Sequence, residues 1–267
     1  MRFLPSNGHV RVKQKQQLIP IIIALLVISC SDQPTLSTLT FKPVYNQSTI
    51  VCEKQITTEF AWQLDQLWFY LSNLEVKTKL GWQEAKLTNN QWQHQNVALL
   101  GQHCIDSDDA NWQVAIAQSA PLDSITQLRF TIGLPFSKNH QSPMRAQSIF
   151  ANSNMFWTWQ QGYKYLRLDL EHSATEQNWA FHLGATGCQS PSPIRPPANA
   201  CKNPNTVTID LDFDDTGVLS FDLARLFKQV ELNKQTRCLA LPTQPSCPTL
   251  IENLANTVSF SKLQANH

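Results

Sequence analysis

Asn154-Met155-Phe156-Trp157-Thr158-Trp159-Gln160-Gln161-Gly162-Tyr163-Lys164-Tyr165-Leu166-Arg167-Leu168-Asp169-Leu170 reads as an extended segment, a turn at Gln161-Gly162 and a second strand. Side chains alternate across a strand, so Leu166, Leu168 and Leu170 share one face. The same rule sets Trp157 and Trp159 side by side in the first segment. Two indoles at i and i+2 form either a core patch, because buried aromatics supply a large apolar area, or a site.

Working outward, the strand signal repeats. Leu67-Trp68-Phe69-Tyr70-Leu71 is an aromatic run of the buried-strand type. Leu128, Phe130 and Ile132 alternate with Gln127, Arg129 and Thr131 until Gly133 and Pro135 stop the run. Trp179, Phe181 and Leu183 alternate with Ala180 and His182. Val207, Ile209, Leu211 and Phe213 alternate with Thr208, Asp210 and Asp212. Leu223, Leu226, Phe227 and Val230 fall at i, i+3, i+4 and i+7 behind Asp222, which predicts one amphipathic helix. The expectation is a mainly β, sandwich-like single domain over residues 41–267, with one or two short C-terminal helices and disulfides.

The N-terminus reads as a targeting signal. Arg2, Arg11, Lys13 and Lys15 precede an apolar run from Leu18 to Ile28, broken by Pro20. That run falls short of the about 20 residues a membrane helix needs, and it suits the apolar region of a signal peptide. Val27-Ile28-Ser29-Cys30 resembles a lipobox, with Cys30 as the lipidated first residue of the mature chain and residues 1–29 removed. Ser31, not Asp, follows the cysteine, which implies an outer-membrane lipoprotein facing the periplasm or cell surface. The plainer reading is an ordinary secretory signal with an incidental cysteine. Residues 30–40 then form a Ser/Thr/Gln-rich linker.

Export accounts for the cysteines. Of seven, setting Cys30 aside leaves Cys52, Cys104, Cys188, Cys201, Cys238 and Cys247, an even set for an oxidising compartment. Short loops favour Cys188–Cys201 and Cys238–Cys247, leaving Cys52–Cys104. No close C-x-x-C pair supports a thiolate metal site. The Pro-rich stretch Ser190–Ala200 becomes a loop inside the Cys188–Cys201 bridge. With 21 Lys and Arg against 20 Asp and Glu, the chain has no basic stripe for nucleic acid.

Hydrolase, nucleotide and dinucleotide motifs are missing. Asp210, Asp212, Asp214 and Asp215 lack EF-hand spacing and read as a solvated strand face and turn. His94, His103 and His172 read as surface residues. His140, after Leu134-Pro135-Phe136-Ser137-Lys138-Asn139, and His182, opposite Trp179, Phe181 and Leu183, are the candidate ligands, since imidazole suits copper and zinc. Spacing alone does not bring the two together.

Leu128-Arg129-Phe130-Thr131-Ile132-Gly133-Leu134-Pro135-Phe136, Asn139-His140, Met155 to Lys164 and Phe181-His182-Leu183-Gly184-Ala185-Thr186-Gly187-Cys188 together resemble the MbnP family. These are exported WxW proteins with a four-cysteine motif, also called metallo-mystery pair proteins. The likeness runs from about Cys52 to Cys247. Such proteins are similar to the copper protein MopE. They are typically encoded beside a di-haem cytochrome c peroxidase-like partner of the MauG or MbnH type, thought to convert tryptophan to kynurenine.

The resemblance implies a copper binder (Cu+ or Cu2+) that is not itself an enzyme. Its ligands would be His140, His182 and an oxidised Trp157 or Trp159. Chemistry agrees: an indole nitrogen only donates hydrogen bonds, whereas the ring-opened amine and carbonyl carry lone pairs. Gly101-Gln102-His103-Cys104 departs from the family's acidic segment and leaves His103 as a reserve ligand. The competing reading is a carbohydrate-binding or adhesion module that stacks sugars on Trp157, Trp159 and Trp68. Exposed coplanar indoles favour the module, and histidines flanking them favour the metal.

Overall fold

The structure, a computed structural model of the chain, describes residues 37–56, 61–105, 109–117, 124–142, 144, 146, 148–213, 216–241, 243–256 and 259–262. Residues 1–29, read as a signal, Cys30, expected to carry the lipid, and Asp214 and Asp215 lie outside the described residues. In chain order the strands are β1 (Thr38–Tyr45), β2 (Ser48–Thr49), β3 (Trp62–Thr78), β4 (Gly81–Glu84), β5 (Gln93–His94), β6 (Val97–His103), β7 (Ala110–Asn111), β8 (Gln113–Ala115) and β9 (Gln127–Ile132). After the one-turn helix α1 (Phe136–Asn139) come β10 (Phe156–Thr158), β11 (Gly162–His172), β12 (Asn178–Gly184), β13 (Val207–Asp212) and β14 (Val218–Asp222). Helix α2 (Leu223–Leu226), β15 (Cys238–Leu239), α3 (Cys247–Ala255) and β16 (Phe260–Lys262) finish the chain. Strand β1 begins inside the stretch read as a linker.

Two sheets form. One runs β16-β14-β1-β2 with β8 on β1, and the larger runs β13-β9-β3-β11-β12-β15 with β6 and β4 also on β3. Aromatic side chains fill the space between them. Phe41 and Phe221, from the smaller sheet, meet Phe69 edge-on at 5.9 and 5.8 Å, while Phe221 and Phe260 stack at 4.4 Å. Each fully buried side chain of this kind contributes about 1.5–3 kcal/mol, and each edge-on pair about 0.5–1.5 more. The mainly β expectation holds, as do all three disulfides: Cys52–Cys104, Cys188–Cys201 and Cys238–Cys247.

Strand β3 organises what lies outside this core. Its first half, up to Phe69, pairs with β11 and its second half, from Leu71 onward, pairs with β9, with a register shift at Asn73-Leu74 inside that second ladder. At the fork, the end of β9 and the start of β11 diverge, and the chain between them folds back over the outer face. There Trp68, Tyr70, Leu134, Phe150, Met155, Tyr163 and Tyr165 form a second buried cluster. Both faces of β3 are therefore covered, which explains the unbroken apolar run from Leu67 to Leu71.

Two local expectations change. The helix expected from Leu223 to Val230 closes after one turn at Leu226, although Asp222 caps it as anticipated by accepting from the Ala224 N–H. Gln229, at φ +61°, cannot continue it, and Leu223, Leu226 and Phe227 are buried without a second turn. His94, His103 and His172 are half-buried, not surface groups. His94 lies edge-on to Phe150 and His172 to Trp62.

Candidate metal centre

The WxW segment sits in the fork. Strand β10 pairs with β11 through Phe156–Tyr163 and Thr158–Gly162, then ends. Trp159 lies in the turn beyond it, so the alternation that would set it beside Trp157 stops one residue short. Asn139, fully buried at the end of α1, clamps this turn: its Oδ1 accepts from the Tyr163 N–H at 2.8 Å and its Nδ2 donates to the Gln161 carbonyl at 3.2 Å. Gly162 is required here. It adopts φ +82°, and a Cβ would lie 2.3 Å from the Asn139 carbonyl oxygen.

The turn grips His140. The Trp159 Nε1–H donates to the His140 carbonyl at 3.0 Å, and His140 Nδ1 faces the Trp159 carbonyl at 3.3 Å. A carbonyl only accepts, so Nδ1 carries the proton and Nε2 keeps its lone pair. Burial lowers the His140 pKa, against the opposing effect of the Trp159 carbonyl, which favours the neutral ring a metal needs. His140 Nε2 lies 3.2 Å from Asn139 Nδ2 and 3.5 Å from Cys201 Sγ. The ring also lines a cleft of about 380 Å³ with Phe136, Tyr165, Ala185 and Cys201.

Trp157 goes elsewhere. Its ring lies against Gly184, where a Cβ would come within 2.5 Å of Cζ3, so only glycine admits this approach. Lys164 Nζ stands 5.7 Å from the ring centroid and donates to the Asn154 carbonyl at 2.8 Å. Burial pushes the Lys164 pKa down to about 8; Arg167 adds to the shift and Asp169 opposes it. No ring pair joins Trp157 to Trp159, and no acceptor meets the Trp157 indole N–H, among the described residues.

His182 is two residues from Gly184 on the same strand face, a rise of roughly 7 Å. Register places it opposite Arg167. Its Nε2 lies 2.6 Å from Asp169 Oδ1, and Arg167 Nε lies 2.7 Å from Asp169 Oδ2. Burial disfavours the Asp169 carboxylate, but hydrogen bonds from His182 and Arg167 outweigh it and hold the carboxyl below its usual range. Arg167 in turn donates to the Asn154 carbonyl at 2.9 Å, the oxygen that Lys164 uses.

The segment is thus bonded to His140 through Trp159 and sets Trp157 against Gly184, two residues along β12 from His182, while no hydrogen bond joins the two histidines among the described residues. The one cluster of three potential donors among the described residues is His140, Cys188 and Cys201. Its cysteines are bonded to each other, so neither sulfur is a thiolate and only the imidazole is a ready ligand. His103 drops out as a reserve ligand. It lies 3.6 Å from Asp65, and β6 is three strands from β12, ~14 Å by strand spacing. The stacking platform fails too, because Trp68 is 0% exposed and stacks beneath Trp92. Asp210 is taken by Arg129 at 2.6 Å and Asp212 by Gln127 at 3.1 Å.

Imidazole nitrogens are ligands for transition metals such as copper and zinc rather than for magnesium or calcium. Asp169, Arg167, Lys164, Asn139 and Gly184 are the residues that pattern reading passed over. The available signal was the placing of Lys164, Arg167 and Asp169 in a strand whose neighbours are apolar.

A family model described as MbnP matches residues 34–246. Among solved structures the chain is similar to MbnP from Methylosinus trichosporium, at TM-score 0.69 and 23% identity over 80% of this chain and 86% of that one, a likeness of fold. No curated protein matches.

Proposed function

The chain belongs to the MbnP family, and we propose that it is an exported copper-binding protein, a binder and not a catalyst, whose site comprises His140, His182 and an oxidised Trp157. The observation that carries this reading is the double tether of the WxW segment: Trp159 is locked to His140 while Trp157 lies beside the His182 strand. The same asymmetry selects Trp157 for oxidation. Trp159 spends its N–H on the His140 carbonyl and holds the turn, so opening its ring would release a ligand. Trp157 makes no such bond among the described residues, and it is half-buried.

The oxidation is assigned to a di-haem peroxidase-like partner using hydrogen peroxide. Two peroxide molecules supply the two oxygen atoms inserted as the indole C2–C3 bond breaks, and two waters leave. Hydrolysis of the resulting formamide releases formate and leaves kynurenine, whose amine and carbonyl are new donors. His140 Nε2 and His182 Nδ1 would hold copper with them, and the Asn139 amide now facing Nε2 would yield its place. Localisation is proposed as outer-membrane lipoprotein, anchored through Cys30.

Intact mass with and without the partner, followed by copper titration, tests the reading. The processed protein should lose one carbon and gain one oxygen, and should then bind one copper ion. His140→Ala and His182→Ala should each abolish tight binding. A processed protein without tryptophan oxidation, or with copper uptake indifferent to both histidines, overturns the proposal. Cys30→Ser should release the protein from membranes, and a wild type that is already soluble refutes the anchor.

A further inference from the structure

Asp169 has no place in the ligand set, yet it makes one of the shortest polar contacts of the region. Its two oxygens are divided between His182 Nε2 at 2.6 Å and Arg167 Nε at 2.7 Å, with the three side chains only 14–20% exposed. A carboxylate whose other oxygen takes the Arg167 N–H can only accept. His182 Nε2 must therefore carry the proton, and the lone pair of the neutral ring is left on Nδ1. His140 is set the opposite way, because its Nδ1 faces a carbonyl. The fold thus holds its two histidines in opposite tautomers, one by a backbone oxygen and the other by a buried carboxylate.

We infer that Asp169 is a positioning residue that fixes the His182 ring and tautomer so that Nδ1 faces the copper site, with Arg167 holding Asp169 in place. This rests on the copper reading for its purpose but not for its geometry. Register supports it. Asp169 and His182 sit on neighbouring strands with their side chains on one face, Asp169 opposite Ala180 and His182 opposite Arg167. They are thus diagonal neighbours, which long side chains can bridge. Ala180 leaves the space open for the imidazole to lean across. Arg167 is anchored in turn at the Asn154 carbonyl, so the carboxylate does not swing freely. Partners of this kind typically affect metal affinity about 10–100-fold when removed.

The test uses the full exported protein, copper-free and partner-processed, at alkaline pH. Two-bond nitrogen–proton NMR correlations should report His182 as the Nε2–H tautomer and His140 as the Nδ1–H tautomer. Asp169→Ala should give His182 a mixed tautomer signature and weaken Cu+ binding about 10–100-fold in competition with a chromophoric chelator. Asp169→Asn, which keeps an acceptor and fills the same space, should retain the Nε2–H signature and lose less affinity. If Asp169→Ala does not fold, the wild-type and Asp169→Asn spectra still decide the matter. An Nδ1–H tautomer at His182 in the wild type, or an Asp169→Ala protein with unchanged tautomer and affinity, overturns the inference. Failure of the wild type to bind copper while His182 shows the Nε2–H signature would sink the copper reading and leave the positioning geometry standing.

Discussion

Gly184→Ala probes the seat of Trp157 directly. The added methyl would lie 2.5 Å from Trp157 Cζ3, 3.1 Å from Cη2 and 2.9 Å from the Tyr163 carbonyl oxygen. The indole has to be displaced by roughly an ångström to restore contact distances of about 3.5–4.0 Å. Overpacking of this kind costs about 1–3 kcal/mol. For a chain of this size each kcal/mol lowers Tm by about 2–4 °C, so the melt should fall by about 2–12 °C. In a Trp157→Ala background the ring contact is gone and only the Tyr163 oxygen resists. The cost should then shrink, giving a coupling of about 1 kcal/mol between the two sites. Thermal melts of the four proteins, followed by near-ultraviolet circular dichroism, measure this. Equal loss in both backgrounds, or a Gly184→Ala protein that melts like the wild type, would falsify the placing of Trp157 on β12.

Three further outcomes follow from the same geometry. Trp159→Phe should keep the oxidation mass shift, while Trp157→Phe loses it; Trp159→Phe also leaves the His140 carbonyl without its donor, costing about 1 kcal/mol in a denaturant titration. Replacing Cys188 and Cys201 together by Ser should cost about 2–5 kcal/mol and free the loop that meets Gln160, whose backbone N–H donates to the Pro193 carbonyl and whose side chain donates to the Cys188 carbonyl; faster proteolysis between residues 189 and 200 is the readout. In copper-free protein Lys164 releases its proton near pH 8, well below the unfolded-chain value of about 10.4. The unfolded chain then holds more protons, so stability should rise from pH 8 to about 10; above that Tyr163, raised to about 12, reverses the slope. A stability that falls steadily across that window, or a Lys164→Met variant that keeps the rise, contradicts this.

Much of the fold was legible along the chain. Leu128, Phe130 and Ile132, then Trp179, Phe181 and Leu183, then Val207, Ile209 and Leu211 are buried in the alternation their sequence displays. Loop length pointed to Cys188–Cys201 and Cys238–Cys247, and the remaining pair, Cys52–Cys104, followed by elimination. His182 faces away from its apolar neighbours as its position demanded. These features are local: strand period and chain closure act over a few residues, and neither depends on which strand lies next door.

The site belongs to a different order of information. Trp68 looks like a partner for the other indoles in sequence, but β3 is covered on both faces and buries it. Trp159 leaves the strand because Asn139 turns the chain at Gly162, and Asn139 arrives there from 23 residues away. Asp169 meets His182 only because β11 and β12 pair in a register that sets Arg167 against His182. Slipping that register by one residue would send each side chain to the other face. Sequence by itself determined which residues form strands, which side each shows and which cysteines join. Tertiary structure decided which side chains meet, because contact across a sheet is set by register and by the course of the covering loops, and neither is written in the period of a single strand.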